Sequence, residues 1–381
     1  MKIQLNNYYG INYYQSVPLY NQFTRLSAPI DNKSDCDRFE MTAFTGKKTN
    51  RKDSKRIEQT LKSIDGLHDP YSDVIMISTN RFKGFQKKIQ RCQNAESGIN
   101  ILAGYTEHMF DSEKEIYDLF RKETAKAKKE GRSSNLTFSD ILQEHLPEAK
   151  ERLINSQLNV TESIRQLAKK KLNKEDKEYV DLYLSIIDKD ILNDRFRIKP
   201  SKQLLSRLEN ELDDKQTAKE IIKLAKNFPS TATNADAFIV KNAYKSNSEI
   251  GELLISPAKI SIEHIKPSSV RGESKGDNYL AASTRMNNYR SSTPLPELIE
   301  EYPDIPLQTQ QYFDDLIAKV NRGGLSDISV LIPDVKERLF KESGGLIDVD
   351  ISELRPEIMQ KRDIIKHKID ELVEHFNKNK E

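Results

Sequence analysis

The chain has 381 residues, which is long enough for two or three domains. Its 61 Lys and Arg residues nearly balance its 59 Asp and Glu residues, so the formal net charge is only +2. This balance excludes a surface that is basic all over, as in a general nucleic-acid binder. An anionic partner would have to be bound by local clusters of basic residues.

The cysteine content and the hydropathy pattern predict a soluble, cytoplasmic protein. Cys36 and Cys92 form neither a CxxC pair nor a disulfide framework, which is typical of a reducing compartment and excludes a structural zinc site built on cysteines. The first 30 residues show no secretory signal, and no apolar run reaches the length of about 18 residues that a membrane span needs. No membrane partner is expected.

The N-terminal region contains two unusual segments. Residues 1–35 are rich in tyrosine, which is compatible with rings packed on the protein body or with a docking segment for a partner protein. Residues 46–60 are strongly basic, but the sequence GKKT at 46–49 is not a phosphate-binding loop, because Met41 stands where that motif needs a glycine. A DNA-binding track and a solvated face both remain open for this segment.

Residues 73–91 predict a buried strand followed by a basic and aromatic stretch. The sequence DVIMIS at 73–78 has the apolar character of a strand. In residues 81–91, Phe82 and Phe85 alternate with lysines and arginines. This pattern is typical of a nucleic-acid contact, but an amphipathic helix with a solvated face has the same pattern.

Helical periodicity dominates from residue 111 to 227. Asp111 predicts a helix start, Ser139 the cap of a second helix and Pro147 the start of a third. Residues 233–259 predict two short helices and a turn. The prolines of residues 294–306 predict an irregular acidic connector, and residues 355–381 predict a charged amphipathic helix.

Residues 259–290 carry the pattern that indicates a chemistry. Ile260, Ser261 and Ile262 alternate like a strand that ends at Glu263 and His264. A polar loop with Pro267, Gly272 and Gly276 follows, then a second short strand at 279–282 and a helix capped by Ser283 or Thr284. The order is therefore strand, loop, strand, helix.

These residue types suit the hydrolysis of a phosphodiester. Glu263 and the amide carbonyl of Asn287 are hard oxygen ligands for a cation such as Mg²⁺. His264 titrates near neutral pH and is therefore a candidate general base. Asn278 is placed to bond across the loop. Five basic side chains are placed to contact flanking phosphates: Lys266, Arg271, Lys275, Arg285 and Arg290.

The segment resembles the HNH (ββα-metal) nuclease motif, which has an acidic residue and His, a Pro, a glycine-containing loop, an Asn, and an Asn or His on the helix. Here these are Glu263-His264, Pro267, Gly272 and Gly276, Asn278 and Asn287. Asn278 follows His264 by 14 positions and Asn287 follows Asn278 by nine, as in the family. Glu107-His108 and Glu144-His145 lack this context and are interpreted as ordinary histidines.

The resemblance implies a metal-dependent endonuclease that acts on DNA, with RNA not excluded. It makes His264 the general base, Glu263 and Asn287 the ligands of Mg²⁺ or Mn²⁺, and Asn278 the residue that fixes the loop. Glu263 stands where many relatives have Asp, and Ser283 and Met286 stand where many have a zinc knuckle, so no structural zinc is expected. Such subunits often occur in bacterial and phage defence systems beside a separate ATPase, which makes an ATPase a possible partner. An inactive HNH-like nucleic-acid-binding subunit and an effector silent without its partner are the alternatives.

The expected fold class is α+β and predominantly α-helical, with a small ββα-metal unit embedded in a helical protein. Four regions are predicted: a mixed N-terminal region at 1–105, a helical region at 106–230, the HNH domain at 231–295 and a helical C-terminal region at 296–381.

Overall fold

The structure, a computed structural model, describes residues 46–131, 135–193, 202–323 and 325–360 and a few positions up to 371, with side chains from Ser54 onwards and, in the third range, from Arg207. The tyrosine-rich segment, Cys36 and the end of the predicted C-terminal helix lie outside the described residues. So do the side chains of the basic segment before Ser54.

The described chain is mostly helical with one small antiparallel sheet, as the sequence predicts at the level of fold class. The helices before the sheet are α1 (Gly46–Ser63), α2 (Thr79–Ile89), α3 (Ala95–Leu102), α4 (Asp111–Lys129), α5 (Phe138–Lys171), α6 (Lys174–Leu192), α7 (Lys202–Glu211), α8 (Lys215–Ala225), α9 (Ala235–Asn242) and α10 (Asn247–Ile255). The sheet consists of β1 (Ile260–His264) and β2 (Tyr279–Ser283). After it come α11 (Thr284–Arg290), α12 (Leu295–Glu301), α13 (Ile305–Asn321), α14 (Ser326–Ser329) and α15 (Ile332–Glu342). None of the described helices is long and apolar enough to cross a membrane.

Three hydrophobic cores organise the described residues from 54 onwards. The first core joins α1, the sheet, α11 and the helices that follow it. The second core joins α2 to α4, the start of α5, and α9 and α10. The third core joins the rest of α5 with α6, α7 and α8. The 34-residue helix α5 therefore contributes to both the second and the third core.

The cores do not follow the four predicted regions. Residues 57–76 pack with residues 260–354 in the first core, whereas residues 77–149 pack with residues 238–255 in the second. The predicted boundary between 295 and 296 falls inside α12. Only the helical region before residue 230 has a core largely of its own.

Several local expectations differ from the structure. Thr137, not Ser139, caps α5: its Oγ1 accepts from the Asp140 amide at 3.1 Å, and Asp140 Oδ2 accepts from the Thr137 amide at 2.9 Å. Pro147 lies inside α5 and does not start a helix, because α5 continues past the amide that proline lacks. The predicted connector at 294–306 contains α12, which Pro294 and Pro296 start and do not prevent.

The predicted strand at 73–78 is an extended segment held by isolated bridges. Ile75 pairs with His68, and Ile77 pairs in parallel with Lys259 at the start of β1. Ile77 donates to the Ala258 carbonyl at 3.0 Å and accepts from the Ile260 amide at 3.1 Å. This segment therefore fixes the entry to the sheet that carries the candidate site.

Candidate active site

The ββα unit that the sequence predicts has the expected order of elements. β1 and β2 pair antiparallel, with Glu263 opposite Leu280 and His264 opposite Tyr279. Ser283 ends β2 and caps α11, since its Oγ accepts from the Met286 amide at 3.2 Å. Its own amide donates to Asp69 Oδ2 at 2.8 Å. The chain therefore passes directly from β2 into α11 at Ser283, with no intervening loop.

Asp69 is a buried support that sequence reasoning missed. Its side chain is fully buried, and its Oδ1 accepts from the Tyr71 amide at 2.8 Å while Oδ2 holds Ser283. Burial raises the pKa of this carboxyl to about 6, against the hydrogen bonds, which lower it. No sequence motif marks Asp69, because it lies more than 200 positions before the residue that it holds.

Asn278 bonds across the loop between the strands. Its Oδ1 accepts from the Lys266 amide at 2.8 Å, and its Nδ2 donates to the carbonyls of Lys266 and Glu273 at 3.0 and 2.8 Å. The side chain is fully buried, so these three bonds lie away from water. They fix the chain just after His264, which is the positioning role that the family resemblance implies for this asparagine.

Two glycines of the loop lie where a Cβ atom would not fit, each for a different reason. A Cβ at Gly272 would lie 1.8 Å from the Lys266 carbonyl oxygen, so only glycine permits this close approach. A Cβ at Gly276 would lie 2.6 Å from Ile57 and 2.8 Å from Leu331, so there the side chains of the first core exclude it. Both glycines keep the loop compact beneath Asn278.

Asn287 reaches back from α11 to β1. Its Nδ2 donates to Ser261 Oγ at 2.5 Å and to the Ile262 carbonyl at 3.0 Å. The side chain is partly exposed. The amide therefore lies beside the strand segment that ends in Glu263 and His264, and its nitrogen end is used for attachment.

Glu263 is bound to Arg290 in the interior. The carboxylate Oε1 accepts from Arg290 Nη1, and Glu263 is only 2% exposed. Burial raises the pKa of Glu263 to about 7, while the neighbouring Arg290 opposes the rise. The carboxylate that the sequence assigns to a metal is thus already neutralised by a guanidinium.

Arg290 does more than pair with Glu263. The same guanidinium donates to the carbonyls of His264 at 3.0 Å and of Ile265 at 2.6 Å, and to the Tyr71 hydroxyl at 3.3 Å. Arg290 is 1% exposed, so its prediction as a phosphate-binding residue is wrong: it fixes the backbone carbonyls of His264 and of the residue after it and does not reach solvent.

The other four predicted phosphate contacts divide into two groups. Arg285 is bound to Glu113, donates to Ser112 Oγ at 3.2 Å and stacks on Phe110 at 4.3 Å, so its charge is used inside the protein and its assignment to a phosphate is also wrong. Arg271 and Lys275 are exposed on the loop, and Lys275 pairs with Glu273 at 2.5 Å. Lys266 is partly exposed.

His264 lies on the other face of β1 from Glu263, because side chains alternate along a strand. It is partly exposed and meets the Tyr279 ring edge-on at 5.1 Å. Burial lowers the pKa of His264 below its ordinary value, an effect that Glu58 opposes and Arg290 reinforces. The lowered pKa favours the neutral imidazole, which is the form that a general base requires.

His264 faces an open cleft of about 610 Å³. The other polar side chains that line it are Glu58, Lys62, Thr79, Lys259, Ser261 and Thr284. Ser261 and Thr284 belong to the motif that the sequence predicts, whereas Glu58, Lys62 and Thr79 come from α1 and α2 and have no role in the sequence prediction. The cleft combines one imidazole with two lysines and the carboxylate of Glu58, which pairs with Lys62 at 3.9 Å, so Lys259 is the cation in this lining that remains for a phosphate group.

The predicted metal ligands have the donor atoms that a cation prefers, but one of them is occupied by another group in this structure. Glu263 and Asn287 offer carboxylate and amide oxygens, the donors that Mg²⁺ prefers, and both contact the same end of β1. However, the carboxylate is bound to Arg290, so a cation must share Glu263 with the guanidinium or replace it. Within the described residues, no group of three or more His, Cys, Asp or Glu side chains is arranged to hold a metal.

Comparisons with known proteins give no relative of this chain: no family model, no curated protein and no solved structure matches it.

Replacement of Asn278 by Asp should loosen the loop. The variant keeps the oxygen that accepts from the Lys266 amide. It loses the amide group that donates to the carbonyls of Lys266 and Glu273, and it places a carboxylate oxygen against these two carbonyls. We expect the variant to lose about 2–3 kcal/mol of unfolding free energy and to show faster amide hydrogen exchange at residues 264–279. Asn288→Asp, on the exposed face of α11, is the matched control. Unchanged exchange in Asn278→Asp would show that these bonds do not hold the loop.

Replacement of Arg290 by Met should leave Glu263 buried without a partner. We expect a cost of about 3–5 kcal/mol in urea unfolding. The double variant Glu263→Gln with Arg290→Met removes the uncompensated charge and should recover part of this loss. A loss below about 1 kcal/mol in Arg290→Met, or no recovery in the double variant, contradicts a supporting role for the pair.

Proposed function

We propose that this chain is a divalent-metal-dependent HNH endonuclease that hydrolyses phosphodiester bonds in DNA. The observation that carries the proposal is the position of His264, which lies partly exposed at the end of β1 in a ββα unit and lines an open cleft. The spacing of Glu263, His264, Asn278 and Asn287 in that unit supports the same family.

In this proposal His264 is the general base. One of its ring nitrogens takes a proton from a water molecule whose oxygen bonds to the phosphorus. The phosphorus–oxygen bond to the leaving group breaks, and the leaving oxygen takes a proton from solvent. The imidazolium that forms is stabilised by Glu58, the acidic side chain nearest to it in the cleft. Lys62 and Lys259 line the same cleft and attract the phosphate, although Lys62 shares its charge with Glu58 at 3.9 Å.

The backbone around His264 needs to stay fixed for this step. Arg290 holds the carbonyls of His264 and Ile265, and Asn278 holds the amide of Lys266. Positioning of this kind reduces the entropy cost of bringing base and substrate together. Arg290 and Asn278 are positioning residues in this account, and neither needs to touch the substrate.

Mg²⁺ or Mn²⁺ is assigned to Glu263 and Asn287. When bound, the ion neutralises charge on the scissile phosphate and on the leaving oxygen. Part of the Glu263 charge is already compensated by Arg290, so we expect weaker metal binding than two free oxygen ligands would give.

One observation favours a second candidate, a nucleic-acid-binding subunit without turnover. The Glu263 carboxylate is bound by Arg290 and only 2% exposed, which is the arrangement that a unit without a metal would have. DNA binding that EDTA leaves unchanged, without any cleavage, supports this candidate. A role in antiviral defence and an ATPase partner remain predictions from the family resemblance.

A cleavage assay tests the proposal. Purified protein with Mg²⁺ or Mn²⁺ should nick or cut plasmid DNA, and EDTA should stop the reaction. His264→Ala should cleave at least about 100-fold more slowly, since a general base contributes a factor of this size or more. Single-stranded DNA and RNA, offered in parallel, identify the preferred substrate.

The matched control is His367→Ala, because His367 is 76% exposed and belongs to none of the three cores. It should cleave like the unmodified protein. Equal rates for His264→Ala and the unmodified protein exclude His264 as the base. If the metal-replete protein leaves every nucleic acid intact, alone and with a candidate ATPase, the nuclease proposal fails.

A further inference from the structure

Helix α2 begins at the His264 cleft. Thr79, its first residue, lines that cleft together with His264 and Lys259. The helix then runs eleven residues to Ile89. Whatever binds along α2 therefore has one end at the candidate active site.

The aromatic residues of α2 belong to the protein interior. Phe82 is 6% exposed and Phe85 is fully buried, and both pack in the second core with Ile89. These rings are therefore not placed to stack on bases, and the stretch forms an amphipathic helix, one of the two alternatives that the sequence leaves open. Only the charged face of α2 is available to a partner.

That face carries cations without acidic partners. Lys83, Lys87, Lys88 and Arg91 are all exposed, and no described residue forms an ion pair with them. Arg81 on the same helix shows the contrast, because it pairs with Asp65 and with Glu107 at 3.1 Å each. No Asp or Glu occurs between residues 79 and 91.

The spacing of these cations suits a phosphate backbone. Lys83 and Lys87 are four positions apart in α2, which places these two cations about 6 Å apart along one face of the helix. Arg91 lies in the turn just after α2, where its amide donates to the Lys88 carbonyl at 3.1 Å, so it adds a further exposed cation beside this face. A row of regularly spaced cations can neutralise a row of phosphates and release their counterions.

The surface beside this row is open. A Cβ at Gly84 or at Gly104 would meet no atom within 4 Å, so both glycines border open space. They line a second cleft of about 660 Å³ with Arg81, Lys88 and Tyr105. A backbone can thus approach Lys88 closely from this side.

The helix dipole does not account for the pattern. It favours Lys87 and Lys88 in the last turn of α2, where cations meet the negative end of the helix. It gives no advantage to Lys83, which lies in the first half. The complete absence of acidic residues is not required by the dipole either.

We infer that the exposed face of α2 with Lys83, Lys87 and Lys88, together with Arg91 in the turn just after it, binds the phosphodiester backbone of a nucleic acid and directs it to the His264 cleft. The binding step stands on its own observations. The delivery of the nucleic acid to the His264 cleft rests on the proposed function, because that proposal makes the cleft an active site.

The test measures binding in EDTA, so that cleavage plays no part. The triple variant Lys83→Gln, Lys87→Gln, Arg91→Gln is compared with the unmodified protein by fluorescence anisotropy on labelled duplex DNA, single-stranded DNA and RNA, over a series of salt concentrations. The matched control is Lys169→Gln, Lys170→Gln, Lys219→Gln, which removes the same charge from exposed positions on α5 and α8. Circular dichroism checks that both variants keep their helices.

On the preferred nucleic acid, the α2 variant should bind about ten-fold or more weakly at low salt, and its plot of log affinity against log salt should be shallower by about two to three units. The control should bind within about two-fold of the unmodified protein, because an unspecific charge effect of this size is small. Equal losses in both variants, an unchanged salt slope in the α2 variant, or no binding by the unmodified protein overturns the inference. Binding that depends on α2 in a protein that does not cleave leaves the inference standing while the nuclease proposal fails.

Discussion

The buried ion pair between Glu263 and Arg290 is the interaction on which the candidate site depends. A carboxylate and a guanidinium removed from water have a large desolvation cost, which good geometry and additional hydrogen bonds must offset. Arg290 meets this condition, since it also binds the carbonyls of His264 and Ile265 and the hydroxyl of Tyr71. One side chain from α11 thereby fixes the end of β1, the place from which His264 projects.

The alternation of side chains along β1 separates two tasks. Glu263 points into the interior, where burial and the nearby Asp69 raise its pKa and Arg290 lowers it. His264 points to the cleft, where it is partly exposed and its pKa is lowered. β1 therefore presents His264 to the cleft, while Glu263, the residue before it, anchors α11 through Arg290. To bind a metal as well, the Glu263 carboxylate must contact both the Arg290 guanidinium and the metal ion. An active enzyme would have this shared contact, whereas an inactive protein of the same fold would have the contact with Arg290 alone.

The local part of the site was predictable from sequence, and the long-range part was not. Strand, loop, strand and helix follow from alternation, glycines and the Ser283 cap within 32 residues, and Asn278 bonds within its own loop. Asp69, Glu58 and Lys62 come from distant segments that no periodicity links to residue 264. Arg290 and Arg285 were assigned to phosphates because basic residues are usually exposed. Their buried partners, Glu263 and Glu113, become visible only when the chain is folded.

The proposed nuclease has one cation with Glu263 and Asn287 as its ligands, and Glu263 lies on the strand that also carries His264. The most direct measurement is anomalous diffraction from crystals of the His264→Ala protein grown with duplex DNA and Mn²⁺, since this variant should bind metal and substrate without turnover. The account predicts a manganese peak in contact with both the Glu263 carboxylate and the Asn287 carbonyl. A peak that touches neither residue, or no peak here at saturating Mn²⁺ with Arg290 still bound to Glu263, would contradict it.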